Sequence, residues 1–583
     1  MNKKIFYSIA LSAAALCMTG CADGDLAPDS NAYEYTDSLK ALQYLNDYAP
    51  LKSYVDRTVN PDFKLAIGVG AQNYVDGKID CRLANTNFDE MSAGNAMKYG
   101  SCVKDDGSMD FNLVTKFVNA AATNNMTVFG HTLAWHSQQN NKFLNSLLED
   151  KTTSGGATTM IDVQDALTDF SIMSKFPFYV MGYEPTFEDG CLKSSYPGSW
   201  YQYFVIADFA TPLPETYKVT AMIRSSQEGS IGIQMGNWGA TFAQNMKVST
   251  DWEEQSVTFD NLTTEKSFVV FQPGGFKGDL EVKWVKVTHQ VAANKIPLTD
   301  QEKKDTITWA MDHWINGMME ACDGKVTSWD VVNEAISGTD KDGDGILDLQ
   351  SATRGTVSKD DAKNNFYWQD YMGDLDYVRS AVASARKHFA EHNGDPAKLK
   401  LFINDYNLES FWDDNWKMKS LIEWIKRWEA DGVTKIDGIA SQMHVAYSED
   451  PATQKSREDH IVKMYQLMAS TGKLCKVSEL DMGYVDKHGN AVPTKNMTDA
   501  QQKQMADFYQ FIVEKYFEII PAAQRYGITQ WCITDAPENS GWRKGEPVGL
   551  WTLDYDRKRA YGGFAEGLKK SSVPGDPSSA ITK

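Results

Sequence analysis

Short apolar runs recur along most of the chain, each followed by a longer stretch in which apolar positions return every three to four residues. Runs at 64–69, 87–91 and 126–131 read as parallel strands, and the pattern resumes at 326–332, 399–403, 436–440, 474–478 and 527–531. Amphipathic stretches such as 377–392, 415–431 and 499–516 lie between them. Eight strands alternating with helices predict an α/β chain built as a (β/α)8 barrel, whose chemistry would sit at the C-terminal strand ends.

Residues 155–292 break this rhythm. Segments 201–206, 217–223, 230–235, 254–259 and 280–287 alternate apolar and polar positions between Gly, Pro and Asn turns, as strands of an all-β sandwich (jelly-roll) do. A whole domain is therefore expected to interrupt the barrel after its third strand, leaving barrel portions at 41–154 and 293–572 and a tail at 573–583. At the N-terminus, Lys3 and Lys4 precede the apolar run 5–18, followed by Thr19, Gly20 and Cys21. This is the layout of an export signal, and it is too short to span a bilayer. The ending Met18-Thr-Gly-Cys resembles a bacterial lipoprotein signal, which implies removal of 1–20 and a lipid on Cys21, with 21–40 as a polar tether. The expected location is the cell envelope, at the outer membrane, with that lipid as the sole membrane contact.

Composition narrows the partners. A chain of 583 residues exceeds what one hydrophobic core supports. Its net charge of -20 would repel phosphate backbones, which argues against nucleic-acid binding, and its 16 Trp suit stacking on the rings of a neutral sugar polymer. Beyond Cys17 and Cys21 the six cysteines form no Cys-x-x-Cys pair, so a structural zinc is not expected. Cys81 and Cys102 are the one pair separated by a short loop and the candidate disulfide of an exported chain. Asp340, Asp342, Asp344 and Asp348 have the spacing of Ca2+ ligands but lack an acidic residue at the twelfth position, so a structural Ca2+ and a solvated turn both stay open. No other cofactor is called for.

Cleaving a glycosidic bond requires one carboxyl group to protonate the leaving oxygen and a second to attack the anomeric carbon from the other side. Glu334 ends the fourth run, in Trp329-Asp-Val-Val-Asn-Glu, and Glu479 ends the seventh, in Lys476-Val-Ser-Glu-Leu-Asp. Both therefore fall at the expected rim of the barrel. Around them stand Gly130-His-Thr-Leu-Ala-Trp-His-Ser-Gln, Phe402-Ile-Asn-Asp-Tyr-Asn, Ser441-Gln-Met-His and Gln530-Trp-Cys-Ile-Thr-Asp, each at the end of a run.

Through these segments nearly the whole barrel resembles glycoside hydrolase family 10, chiefly endo-β-1,4-xylanases. The resemblance implies a retaining enzyme acting on xylan or arabinoxylan, with Glu334 as acid/base and Glu479 as nucleophile. It implies that His131, Trp135 and His136 line the sugar subsite beside the scissile bond, that Asn333 holds the 2-hydroxyl, and that His444 bonds Glu479 and is oriented by Asp481. Gln442 would support the pair, Trp531 and Trp542 would close the site, and Asn95 with Lys98 would grip hydroxyls one subsite away. Glu479 would be kept ionised and Glu334, in a drier setting, protonated at first. One departure stands out: the family's Glu-Asn-x-Met-Lys reads Gly94-Asn-Ala-Met-Lys here, removing a carboxylate from the second sugar subsite and raising the expectation that a substituted xylose is admitted there. An endo-β-1,4-glucanase on the same scaffold and a non-catalytic glycan-binding lipoprotein are the alternative readings. The inserted segment more loosely resembles carbohydrate-binding modules of families 4 and 22, with Trp200 and Trp238 as candidate sugar contacts, Tyr201 and Tyr203 as further platforms, and Trp252 and Trp284 expected in its core. Trp309, Trp314, Trp424 and Trp428 lie on amphipathic helices and are expected to be core residues.

Overall fold

A computed structural model describes residues 42–152, 160–173, 178, 180–181, 184–197, 202–211, 216–237, 240–260, 262, 266–292 and 295–578. The export segment, Cys21, the tether, Trp200, Tyr201 and Trp238 lie outside the described residues. The chain divides into two compact units, one formed by Met1–Leu147 with Asp300–Lys583 and the other by Leu148–Thr299.

In the first unit the apolar runs become strands β1 (Lys64–Gly68), β2 (Glu90–Ser92), β3 (Thr127–Ala134), β4 (Ser328–Asn333), β5 (Lys400–Asp405), β6 (Gly438–Ser441), β7 (Leu474–Val485) and β8 (Arg525–Gln530). They pair in parallel in chain order, and β8 returns to β1 through Leu65↔Ile528 and its neighbours, so the sheet closes into an eight-stranded (β/α)8 barrel. Closure buries the inner face of each strand and the surrounding helices bury the outer one, which is why β4 and β8 are buried at every position. Helices α1 (Asn112–Thr123), α2 (Asp300–Cys322), α3 (Asp376–Glu391), α4 (Trp416–Glu429), α5 (Pro451–Ser470), α6 (Asp499–Ile519) and α7 (Arg559–Leu568) run between or after strands. Thr498 caps α6 in a reciprocal box with Gln501, satisfying amides the helix leaves unpaired at its start.

The barrel interior is filled, not open. Phe129, Phe402 and Tyr526 meet edge to face with centroids 4.8 to 5.6 Å apart, and Ala440 packs with them. Lys476 points inward beside them, its Nζ 4.1 Å from the Phe129 ring centre and 3.4 Å from Glu90 Oε1, while the Tyr526 hydroxyl donates to Glu90 Oε2 at 2.9 Å. A buried lysine is tolerated here because a carboxylate answers it.

The second unit holds two antiparallel sheets. In one, Glu253–Phe259, Tyr217–Ser225, Lys277–Ala292, Cys191–Pro197 and Thr186–Glu188 are neighbours, with Met160–Asp169 also on Lys277–Ala292; in the other the order is Ala240–Val248, Gly229–Asn237, Lys266–Gln272, Gln202–Ala210 and Val180–Met181. Alternate residues such as Val219, Ala221 and Ile223 of one sheet and Ile231, Ile233 and Met235 of the other share one core. Lys151–Thr152 pairs with Lys295–Ile296, bringing the two ends of the insertion side by side.

Several expectations are corrected. Tyr203, a candidate platform, is fully buried. Trp252 and Trp284 are half-buried and not core: Arg224 and Lys283 lie over Trp252, and Lys286 over Trp284, so cations cover their faces. Trp314, Trp424 and Trp428 are buried, but Trp309 is 54% exposed and stacks on His313, because the apolar stripe of α2 passes through Ala310 and Trp314 and leaves Trp309, five residues before Trp314, uncovered on the outer side. Cys81 and Cys102 are free thiols, as are the other four described cysteines. Each of the pair is turned to a local partner, Cys102 Sγ to the Ala96 carbonyl and Cys81 Sγ to the Asn85 amide.

Candidate active site

Two irregularities in the barrel shape the site. The pairing of β4 with both neighbours shifts between Asp330 and Val332, and that of β7 with β8 shifts between Val477 and Leu480. Bulges of this kind re-aim side chains, here Glu334, which follows the first, and Glu479, which lies within the second. Glu334 lies just past β4 with φ +55°, an uncommon conformation for a residue with a side chain, and its N–H donates to the Asn404 carbonyl at 2.8 Å. A short ninth strand, His444–Ser448, runs parallel to the end of β7 and sets His444 opposite Asp481.

The resulting cleft at the C-terminal strand ends has a volume of about 910 Å3, and Glu334 and Glu479 share its wall. Glu479 is buried. Its Oε1 accepts from Asn404 Nδ2 at 3.0 Å and lies 4.0 Å from His131 Nδ1, and its Oε2 lies 3.3 Å from His444 Nε2. Burial alone would raise this carboxyl, but His131, the His444 bond and charge, and Lys98 outweigh it and bring it down to about 2. His444 Nδ1 is in turn 3.1 Å from Asp481 Oδ1. Burial would lower the imidazole, yet Asp481 and Glu479 together raise it to about 10, so the ring is a fixed cation. Asp481, fully buried, is held below the usual carboxylate range against burial by His444 and by Arg543, whose Nη1 donates to it at 2.6 Å; Trp542 Nε1 donates to its other oxygen at 2.8 Å.

Glu334 is handled differently. Trp135 Nε1 donates to Oε2 at 2.9 Å and Gln442 Nε2 to Oε1 at 2.8 Å, so both oxygens take neutral donors. Asn333 Oδ1 accepts from Asn404 at 2.9 Å and Gln442 at 3.3 Å, which turns its Nδ2 away; that buried donor has no partner among the described residues. An unmet buried N–H facing a cleft is costly unless a ligand oxygen takes it.

On the other side of the cleft, Lys98 Nζ donates to Asn95 Oδ1 at 2.8 Å and lies 5.0 Å from the Trp135 ring centre. Burial lowers this ammonium while Glu479 and Glu334 pull the other way. Trp531 packs over Gly68, where a Cβ would come within 2.4 Å of the Trp531 carbonyl, so only glycine admits it. Trp542, 45% exposed, meets the His444 ring edge to face at 4.7 Å. His131 and Trp135 line the cleft, but His136 does not: it stacks on Tyr367 at 5.1 Å, with Nε2 3.9 Å from Glu334 Oε2, and burial takes it down to about 3, leaving it neutral. It backs Glu334 and does not line the cleft, its ring being taken up by Tyr367.

Sequence reasoning passed over three residues that the geometry brings in. Asp330 bonds His131 Nδ1 at 2.8 Å, its own carboxyl raised by burial to about 6. Asn404 bridges Asn333 to Glu479, and Arg543 pairs with Asp481. The first two stood inside motifs already picked out and Arg543 directly follows Trp542; what the sequence lacked was the fold that turns them onto the pair. Asp340, Asp342 and Asp344 bring oxygens within 4.8 Å of one another away from this cleft. Their carboxylates accept N–H groups of Gly343, Gly345, Asp344 and Ile346, Asp344 also pairs with Arg427, and Asp348 accepts from Lys341.

A parallel barrel with two carboxyl groups in one cleft at its C-terminal rim, one of them held ionised by a His–Asp pair, defines the class of barrel glycoside hydrolases. Residues 55–170 and 245–566 match the model of Glycosyl hydrolase family 10, and the chain belongs to that family. It is 28% identical over 276 residues to endo-beta-1,4-xylanase Xyn10C of Cellvibrio japonicus, a match covering 45% of this chain and 39% of that one. Over 256 residues it is 30% identical to endo-1,4-beta-xylanase A of Halalkalibacterium halodurans, covering 42% and 53% of the two chains. The chain thus spans about two fifths of the length of Xyn10C and about half that of the second relative. The solved structure of CbXyn10B in native form superposes with a TM-score of 0.50 at 17% identity, over 89% of this chain and 99% of that one, a likeness of fold.

Proposed function

We propose that the chain is an endo-acting, retaining hydrolase of β-1,4-xylosidic bonds in xylan or arabinoxylan, with Glu479 as nucleophile and Glu334 as acid/base. The observation that carries this reading is the unequal setting of two carboxyl groups in one cleft: cations keep Glu479 ionised, whereas Glu334 takes only neutral donors from Trp135 and Gln442. Glu479 attacks the anomeric carbon while Glu334 passes a proton to the leaving oxygen; Glu334 then takes a proton from the water that releases the sugar, and two inversions give retention. The unpaired Nδ2 of Asn333 supports a contact to the 2-hydroxyl, strongest as the ring flattens toward the transition state. The names of the relatives support xylan as the polymer.

Two further parts belong to the same proposal. A lipid on Cys21 is supported by the Met18-Thr-Gly-Cys ending, and glycan contact by the inserted unit is supported by Trp200 and Trp238 in its sequence. No described helix is long and apolar enough to cross a membrane. Mass spectrometry of the mature N-terminus and retention on insoluble xylan test these two parts.

The central test is reducing-sugar release from xylan and from cellulose by the protein and by Glu334→Ala and Glu479→Ala. Release from xylan, with kcat lowered on the order of 10^3-fold or more in either variant and the β-anomer as first product, is the expected result. Preferential release from cellulose would move the substrate to β-1,4-glucan, and binding without release would make this a glycan-binding protein.

A further inference from the structure

Arg457, on α5, is a cation that no hydrogen bond or ion pair among the described residues answers; Glu409 is the one carboxyl whose charge favours it. Arg457 is half-buried and its Nε is shut off from solvent. Every other arginine there that is not exposed has acceptors: Arg543 has Asp481 and Glu546, Arg525 has four carbonyl or amide oxygens, and Arg379 has two carbonyls. The guanidinium carbon of Arg457 lies 4.8 Å from the centre of the Phe411 ring. A guanidinium presents five donors in a planar fork matched to a carboxylate, and this one, with its Nε shut off from water and unmet, is free to take an anion on that fork.

Arg457 lines a pocket of about 50 Å3 with Asn407, Glu409, Phe411, Trp412 and His444. His444 also lines the main cleft, so the two spaces share a wall one side chain away from Glu479. The charged groups around it lean positive. Arg457 and the His444 cation face it, Arg543 stands behind, and the single acid on its wall, Glu409, has its carboxyl raised by burial and accepts from Ser441 Oγ at 3.4 Å. A positive recess is out of keeping with a chain of net charge -20. At its edge Trp412 is 61% exposed and braced edge to face by Phe411 at 5.3 Å, a flat apolar surface held in a fixed orientation.

Position says which part of a substrate reaches this recess. Its lining follows β5 and β6, whereas Asn95 and Lys98 follow β2, across the barrel, with Glu334 and Glu479 between. If the retained sugar lies toward Lys98, the leaving half of the chain lies toward Trp412. The volume takes a carboxylate, a water occupying about 30 Å3 in the liquid, and is too small for a sugar ring.

We propose that this recess binds the carboxylate of a uronic acid carried as a side group on the leaving half of the polymer, with Arg457 as counter-ion and Trp412 beneath the ring. It rests on the xylan reading and makes an acid-substituted xylan the preferred form of that substrate. The backbone sugars stay in the cleft while the side group selects among xylans through a charge-assisted, forked hydrogen bond.

The test uses two xylo-oligosaccharides of equal length, one bearing a uronic acid on the residue just beyond the scissile bond and the other bearing the same group with its carboxyl reduced to the alcohol. The whole chain is expected to show kcat/KM about tenfold higher on the acid form, falling as salt is added. Arg457→Met should bring the ratio of the two kcat/KM values to near one, and Arg457→Lys should restore part of it. Because both substrates meet the same protein sample, a folding defect in a variant cancels in the ratio. Equal kcat/KM on the two sugars with the unmodified protein, or a ratio retained in Arg457→Met, overturns the proposal and leaves the xylan reading standing; failure to cleave either sugar sinks both.

Discussion

His444 sits between two carboxylates, and that placement ties stability to pH at both ends of the scale. Its folded-state value, about 10, lies above the ordinary ~6.5, so its contribution is complete below ~6.5 and is lost as pH rises through about 10. Glu479, lowered to about 2 from an ordinary ~4.3, contributes above ~4.3 and loses that contribution as pH falls toward about 2. Thermal melts from acid to alkaline pH should therefore show Tm falling at each end, with His444→Gln less stable at neutral pH and flatter on the alkaline side. An alkaline slope unchanged in the variant would remove His444 as its cause. Gly94 makes a second case at this scale. Its φ is +58° and a Cβ there would meet the Val69 carbonyl at 3.3 Å, so Gly94→Ala should cost ~1 kcal/mol in denaturant unfolding. The carboxylate effect of Gly94→Glu on decorated against plain xylan then has to be measured relative to Gly94→Ala, since both carry the same backbone strain.

Among the elements, the short strand His444–Ser448 and the two bulges do most to assemble the site, and none was visible as a pattern. Its five residues carry no period that separates them from a loop; pairing with the end of β7 defines them. Helices were more legible, because α3, α4 and α6 follow the 3.6-residue period closely enough for their extents to be read within a few residues. Trp309 shows where that reading stops, since a period names a stripe but not its width. The turn at Asp340–Asp344 is an element-scale question with a direct answer. If it holds Ca2+, adding the ion to chelator-treated protein should raise Tm by several degrees; an unchanged Tm assigns those carboxylates to the turn amides and Arg427 alone.

For the whole molecule, the insertion is the feature to test. Its ends are drawn together by the pairing of Lys151–Thr152 with Lys295–Ile296, so replacing 153–294 by a two-residue turn should leave a folded barrel that cleaves short xylo-oligosaccharides at about the parent rate. Loss of soluble expression or of short-substrate cleavage would show that the barrel needs its guest. Retention of the shortened and whole chains on insoluble xylan, compared side by side, reads out any binding by the sandwich.

By itself the sequence determined the strand and helix alternation, the break at the inserted segment, and the positions of Glu334 and Glu479 at strand ends, because burial periodicity and motif chemistry are local properties of the chain. Tertiary structure alone decided what those carboxyl groups experience. Asn404 and Asp330 belong to different strands and Arg543 follows β8, and only barrel closure brings them around one cleft and sets Arg457 of α5 in the recess beside it. Charge states differ for the same reason: the depression of Glu479, the elevation of His444 and the unmet donor of Arg457 depend on distances between segments tens to hundreds of residues apart and on the water that packing excludes.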